Sequence, residues 1–319
     1  MATSIENSNS IQNSDLNTNN ESESSSSQCD NNGFQKINDH HLNSNTTTTN
    51  NILVWKRRFY TRIKNNLWIL GFLGSLSIPL LCGLSYALTW QKGHYHPIFP
   101  YVSDSASFLP AANYFSQLLD MIAIIFTITI WARYKQFKYY LTRLLPNSTN
   151  KHINNPYKLR LLHQMNFYFL IFGLIAPFGL VLIGNFRIVE NMTGHMFGVT
   201  VLFGFIPIIM LIQIYLIEQL YRCDRIESRA ISLMIITSFN IISTFTSSLT
   251  ALIAVLYHGS PFKYWDNNFR LYWSSDMDGY EWHLASTIAE WAAIISFAPL
   301  LFSTSQRLRL FQHWDQVSF

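Results

Sequence analysis

HPIFPYVSDSASFLP, residues His96 to Pro110, holds three prolines, three serines and an aspartate. A long apolar run lies on each side of it, Leu67–Trp90 before and Asn113–Trp131 after. About 18–20 apolar residues are enough for a helix to cross a bilayer. The stretch therefore reads as the turn of a membrane hairpin, a polar loop joining two spans at the surface. Prolines stiffen such a loop and bias the residue before each towards extended backbone. Tyr95, Phe99 and Tyr101 suit the lipid–water boundary. Asp104 is expected to accept hydrogen bonds from the turn or to cap the helix that follows.

Outward from this hairpin the pattern continues. Four more apolar runs follow, at Asn166–Phe186, Gly194–Ile217, Ala230–Tyr257 and Leu284–Thr304. Six segments apolar nearly all round exclude a water-soluble helical protein. The fold class is an all-α integral membrane bundle of six transmembrane helices. Residues 1–51 are almost entirely Asn, Ser, Thr, Asp, Glu and Gln. They have almost nothing to bury, so this segment is expected to be a disordered tail. It lacks the basic and apolar regions of a cleavable signal peptide. The membrane domain is placed at 52–311, with 312–319 as a short cytoplasmic tail.

Lysine and arginine set the expected orientation. Apart from Lys36 in the tail, seventeen of the 22 lie in the flank from Lys56 to the first span, in the second-to-third and fourth-to-fifth loops, and after the sixth span. The other loops hold only Lys92, Arg187, Lys263 and Arg270. Cytoplasmic flanks collect positive charge, so both termini are expected in the cytoplasm and the 96–110 loop in the lumen. The basic balance is thus a topology signal, and nucleic acid is not an expected partner. None of the three cysteines, Cys29, Cys82 and Cys223, falls in a luminal loop, which argues against a structural disulfide. Asn191-Met192-Thr193 is the luminal glycosylation sequon, in a short loop against the bilayer.

Helices in lipid associate through small residues and interhelical hydrogen bonds. Gly71 with Ser75, Gly83 with Ala87, and Gly173, Pro177 and Gly184 offer such packing faces. Asn240, Ser247 and Ala251 recur at helical spacing in the fifth span, which turns a small polar face to the interior. Asp120 and Glu290 are carboxylates within spans, costly unless given an interior partner. His283, Thr287 and Glu290 share one helix face, and Glu290 is read as pinning helices together. No nucleophile elbow, phosphate loop or zinc pair occurs, so no catalytic residue, metal or cofactor is expected. The luminal-side histidines His94, His96, His195, His258 and His283 are read as ordinary membrane-edge hydrogen-bonding groups.

Three stretches carry a resemblance. GHYHPIFPYVSDSASFLP is followed by a span ending WARYKQ; GNF at Gly184–Phe186 precedes His195 and Gly198; and LYWSSDMDGYEWHLASTIAEW runs from Leu271 to Trp291. Together they resemble the damage-regulated autophagy modulator (DRAM) family and its wider six-span relatives, over about Leu67 to Phe311. The matching positions are Pro97, Pro100, Tyr101, Ser103, Asp104, Arg133, Tyr134, Lys135, His195, His283, Ser286, Glu290 and Trp291. Two features depart from the family pattern: Asp120 stands where an Asn is expected, and Ser-Ala follows the PYVSD motif in place of Thr-Gly. The resemblance implies a non-enzymatic modulator of autophagy in lysosomal or endosomal membranes. Its implied partners are membrane lipids and other membrane or autophagy proteins. Distant relatives imply an alternative, a lipid-handling role in GPI-anchor remodelling or in support of a phosphoinositide kinase, in the Golgi or plasma membrane.

Overall fold

The computed structural model describes residues 54–56, 58–93, 99–147, 155–223, 225–259 and 270–318. The expected tail at 1–51 lies outside them, as do His94, His96 and Pro97. Six helices have the length and composition to cross a membrane. They are α1 (Leu67–Lys92), α2 (Ala111–Tyr139), α3 (Pro156–Asn185), α4 (Met192–Arg222), α5 (Ile231–Tyr257) and α6 (Tyr280–Arg309). Backbone groups in lipid have no water to bond, so each segment satisfies its own as a helix. A one-turn helix, Val102–Ser105, sits in the loop after α1.

The helices outrun the apolar runs. Residues 113–131 become 111–139 in α2, extended by a π-turn over Tyr140–Leu144, and 166–186 becomes 156–185 in α3. Most of the extra length is at one end. At 26 to 31 residues, the helices span about 39–46 Å against a hydrocarbon core of about 30 Å. In α2 the overrun is held by protein, with Ala132, Arg133, Gln136, Phe137 and Tyr139 buried, while the first residues of α3 are exposed.

Packing follows chain order: α1 on α2, α2 on α3, α3 on α4, α5 on α6, and α6 back on α1. The α4–α5 contact is much thinner than the others. Small residues set the close approaches. A Cβ on Gly179 would lie 2.8 Å from the carbonyl oxygen of Gly198, so these two glycines let the α3 and α4 backbones touch. Gly173 receives Ile130 in the same way. Gly83 and Ala87 do not form the packing face that their spacing suggested. Both are exposed, and nothing lies within 4 Å of a Cβ on Gly83. The stripe of α1 that packs inward is Gly71, Gly74, Ser75, Ile78, Cys82, Ser85 and Thr89.

The chain enters and leaves at one end of the bundle, called here the terminal end; the other is the loop end. Lys64 donates to the Val317 carbonyl at 2.7 Å, and the Arg309 guanidinium lies 5.0 Å from the Trp68 ring centroid. Residues 312–318 pack on the bundle. Trp314 is 1% exposed and Val317 is buried, while Tyr139 donates to Gln316 and stacks on His313. Apolar side chains drew this segment onto the bundle, and that burial is not signalled by a short stretch after the last span.

Candidate functional site

At the loop end, the short helix after α1 is drawn into the mouth of the bundle. Its attachments come from α6, some 185 residues later. The Tyr101 hydroxyl donates to Ser286 Oγ at 2.8 Å, the Val102 N–H to Glu290 Oε2 at 2.8 Å, and Trp291 Nε1 to the Pro100 carbonyl at 2.8 Å. Thr89 of α1 bonds the Ser105 carbonyl. The edge of Tyr101 meets His283, which itself stacks on Trp273 with centroids 4.5 Å apart. Asp104 does not cap a helix, as its place in the turn suggested. It is buried, and Arg270 Nε and Nη2 each approach its Oδ1 to 3.0 Å. The guanidinium, itself buried, needs a carboxylate more than the helix terminus does.

The second loop joins this plug from the side. His195 Nδ1 lies 2.8 Å from the Phe186 carbonyl. A carbonyl only accepts, so Nδ1 carries the proton and Nε2 is left as the acceptor nitrogen. At the exposed rim, the Ser274 hydroxyl donates to Asp276 and holds its carboxyl below the ordinary carboxylate range.

Beneath the plug is a cavity of about 90 Å³, walled by α1, α2, α3, α4 and α6. Its lining is apolar except for Ser103, His195 and Glu290, all at the plug. Along α6 it runs from Glu290 to Leu301 and along α2 from Phe115 to Phe126. Each stretch covers eleven helical steps, about 16 Å of helix, or roughly half the hydrocarbon thickness of a bilayer. Phe203 and Phe297 meet in its wall, centroids 5.4 Å apart.

The terminal end is shut by charge. Glu227, in the loop between α4 and α5, accepts from Arg133 Nη1 and Nη2 at 2.6 and 2.8 Å and from Arg307 Nη1 at 2.8 Å. All three are buried. Gln136 completes the network: its carbonyl accepts from Arg133, and its amide donates to the Arg307 carbonyl and to the Tyr140 hydroxyl. The Phe137 ring lies 3.9 Å from the Arg133 guanidinium.

The Frag1/DRAM/Sfk1/Cwh43P N-terminal domain profile matches residues 66–308, which takes in the plug, the cavity and the charged network. The chain belongs to this family. Its similar relatives include DNA damage-regulated autophagy modulator protein 2 of Bos taurus, 27% identical over 67% of this chain and 73% of that one. The human protein of that name is 26% identical over the same shares, and DNA damage-regulated autophagy modulator protein 1 of Xenopus laevis is 25% identical over 67% of this chain and 78% of its own. No solved structure matches.

As a Frag1/DRAM-family protein, the chain shows what its three scattered motifs have in common. Pro100, Tyr101, Ser103 and Asp104 come from the first loop, His195 from the second, and His283, Glu290 and Trp291 from α6; all meet in or directly below the plug. Arg133 does not join them and lies in the terminal-end network. Asn240 of α5 donates to the Ala293 carbonyl at 3.0 Å and to Ser296 at 2.8 Å, while Ser247 and Ser286 bond each other's carbonyls. Asp120 lies outside the cavity, half-buried, and accepts from Asn185 of α3 at 3.0 Å. Among the described residues, no three His, Cys, Asp or Glu side chains are grouped to hold a metal. Sequence reasoning passed over Arg270, Glu227 and Arg307 as partners. Arg270 carried a signal: it is one of few cations on its side of the chain.

Proposed function

We propose that this is a non-enzymatic modulator of autophagy in lysosomal or endosomal membranes, and that its bundle holds a membrane lipid. The cavity carries the lipid part of the reading. It is apolar, about one leaflet deep and polar only at one end. The autophagy part is supported by the printed names of the relatives, which describe modulators rather than enzymes. Under this reading the terminal end faces the cytoplasm, where other membrane or autophagy proteins would meet it. The distribution of Lys and Arg supports that orientation.

A second reading keeps the lipid and changes the process, to GPI-anchor remodelling or support of a phosphoinositide kinase. The leaflet-deep cavity favours it equally, and the family title also names Sfk1 and Cwh43P. Localisation of a tagged protein, with autophagic flux measured after deletion, separates the two. Lysosomal or endosomal location with altered flux is expected. Golgi or plasma-membrane location, unchanged flux and altered surface GPI-anchored proteins would replace the first reading with the second.

A further inference from the structure

Resting on the lipid-holding reading, we infer that the cavity takes a single-tailed membrane amine, a long-chain base, with its ammonium group on Glu290 and its tail along α2, α4 and α6. The cavity is divided by polarity. Every polar side chain in its lining is at the plug, and below them stand Phe115, Phe126, Phe203, Ile294 and Leu301. A ligand that fits has a polar head at the loop end and a hydrocarbon tail reaching towards the middle of the membrane.

The head is set by charge. Glu290 receives one hydrogen bond, from Val102 N–H to Oε2. A carboxylate inside a bundle is costly unless a cation or several donors meet it or it takes up a proton. Among the described residues, no Lys or Arg forms an ion pair with Glu290. Arg270 is engaged by Asp104, and the proton on His195 Nδ1 is held by the Phe186 carbonyl. Arg187 pairs with Glu190. The protein thus presents a carboxylate, a serine hydroxyl and an acceptor imidazole nitrogen around one space. An ammonium group supplies the missing charge, and hydroxyls on neighbouring carbons of a long-chain base suit Ser103 and His195. Neutral heads, such as an ester or a sterol hydroxyl, leave Glu290 to take up a proton instead of an ion-pair partner.

The tail is set by shape. The lined length of about 16 Å matches one leaflet. The Phe203–Phe297 contact joins α4 and α6 in the cavity wall, and so small a cavity favours one chain over two.

The test uses the full chain in phosphatidylcholine nanodiscs with three photoactivatable, alkyne-tagged probes that share one tail. One carries the free amine of a long-chain base, one its N-acetyl derivative, and one a hydroxyl in place of the amine. The amine probe is expected to label wall peptides of α4 and α6 roughly ten-fold more than the other two, the ratio that about 1.4 kcal/mol of head-group recognition gives. Glu290→Gln should bring it down to their level without changing theirs. Val199→Trp, which fills the cavity, should abolish labelling by all three; labelling that persists there lies elsewhere and overturns the inference. Equal labelling by all probes in wild type overturns the amine and leaves the lipid-holding reading standing. Absence of label from the wall peptides with every probe removes both. Should Glu290→Gln fail to fold, the three-probe comparison on wild type decides alone.

Discussion

At the terminal end, Glu227 meets two guanidinium groups; at the loop end, Asp104 meets one, and Glu290, among the described residues, meets none. The first network saturates its carboxylate and holds one guanidinium more than carboxylates. Both carboxylate oxygens of Glu227 are used, and neighbouring amides and carbonyls take up other donors. The second is layered, with a closed pair above and a carboxylate with capacity to spare below, facing an apolar space. Burying charge costs free energy wherever it is done. A carboxylate with both oxygens engaged fits a part that fixes helices in place, and one with capacity to spare fits a part that awaits something else.

The comparison can be broken at its strongest point. Glu227→Gln would leave Arg133 and Arg307 buried without a counter-charge, and removal of one partner from such a cluster costs about 3–5 kcal/mol. A large fall in thermal stability in detergent is expected. The triple change Arg133→Met, Glu227→Leu, Arg307→Met should recover most of it, because no charge is then stranded. A neutral Glu227→Gln would show that the terminal end is not a closed lock.

Asp104→Asn tests the loop end. Only one cation, Arg270, loses its partner, so the expected cost is at the lower limit for a buried pair, about 3 kcal/mol. Faster protease cleavage within 94–110 should accompany it, and Arg270→Met in the same chain should restore protection. Unchanged cleavage in Asp104→Asn would mean that the contacts to α6 hold the plug without the ion pair.

The smallest effect sharpens that point. Tyr101→Phe deletes the hydroxyl that bonds Ser286 and keeps the ring against His283. The expected loss is about 1 kcal/mol, read as a small shift in the unfolding midpoint. A loss as large as that of Asp104→Asn would place the plug's main attachment at Tyr101 and not at Arg270.

Much of the fold was legible because the length of an apolar run is a local property, and six such runs are the six helices observed. Helix ends were less legible. Arg133 and Arg307 end the apolar count, yet the helix carries on through both, since each is buried in protein instead of meeting water. Motif residues could be named one by one, but their meeting could not be read: Pro100 with Trp291 and Val102 with Glu290 are contacts across almost the whole domain. Asp104 was assigned to its own turn because local partners are the ones a sequence displays. Glu227 sits among arginines in a loop, where an acidic residue reads as solvated, and only the folded chain brings Arg133 and Arg307 to it.

The docking of the segment after α6 bears on the order of assembly. Phe311, Trp314 and Val317 complete a core at the terminal end whose other side is formed by Tyr139 and Tyr140, where α2 passes into its π-turn. Chains fold as they are synthesised, earlier parts first, so this core must wait, half-built, while every later helix is made. Until then its aromatic face is bare. A ribosome that stops shortly after α6 would release a bundle with all its spans and an open end, a ready mark for quality control.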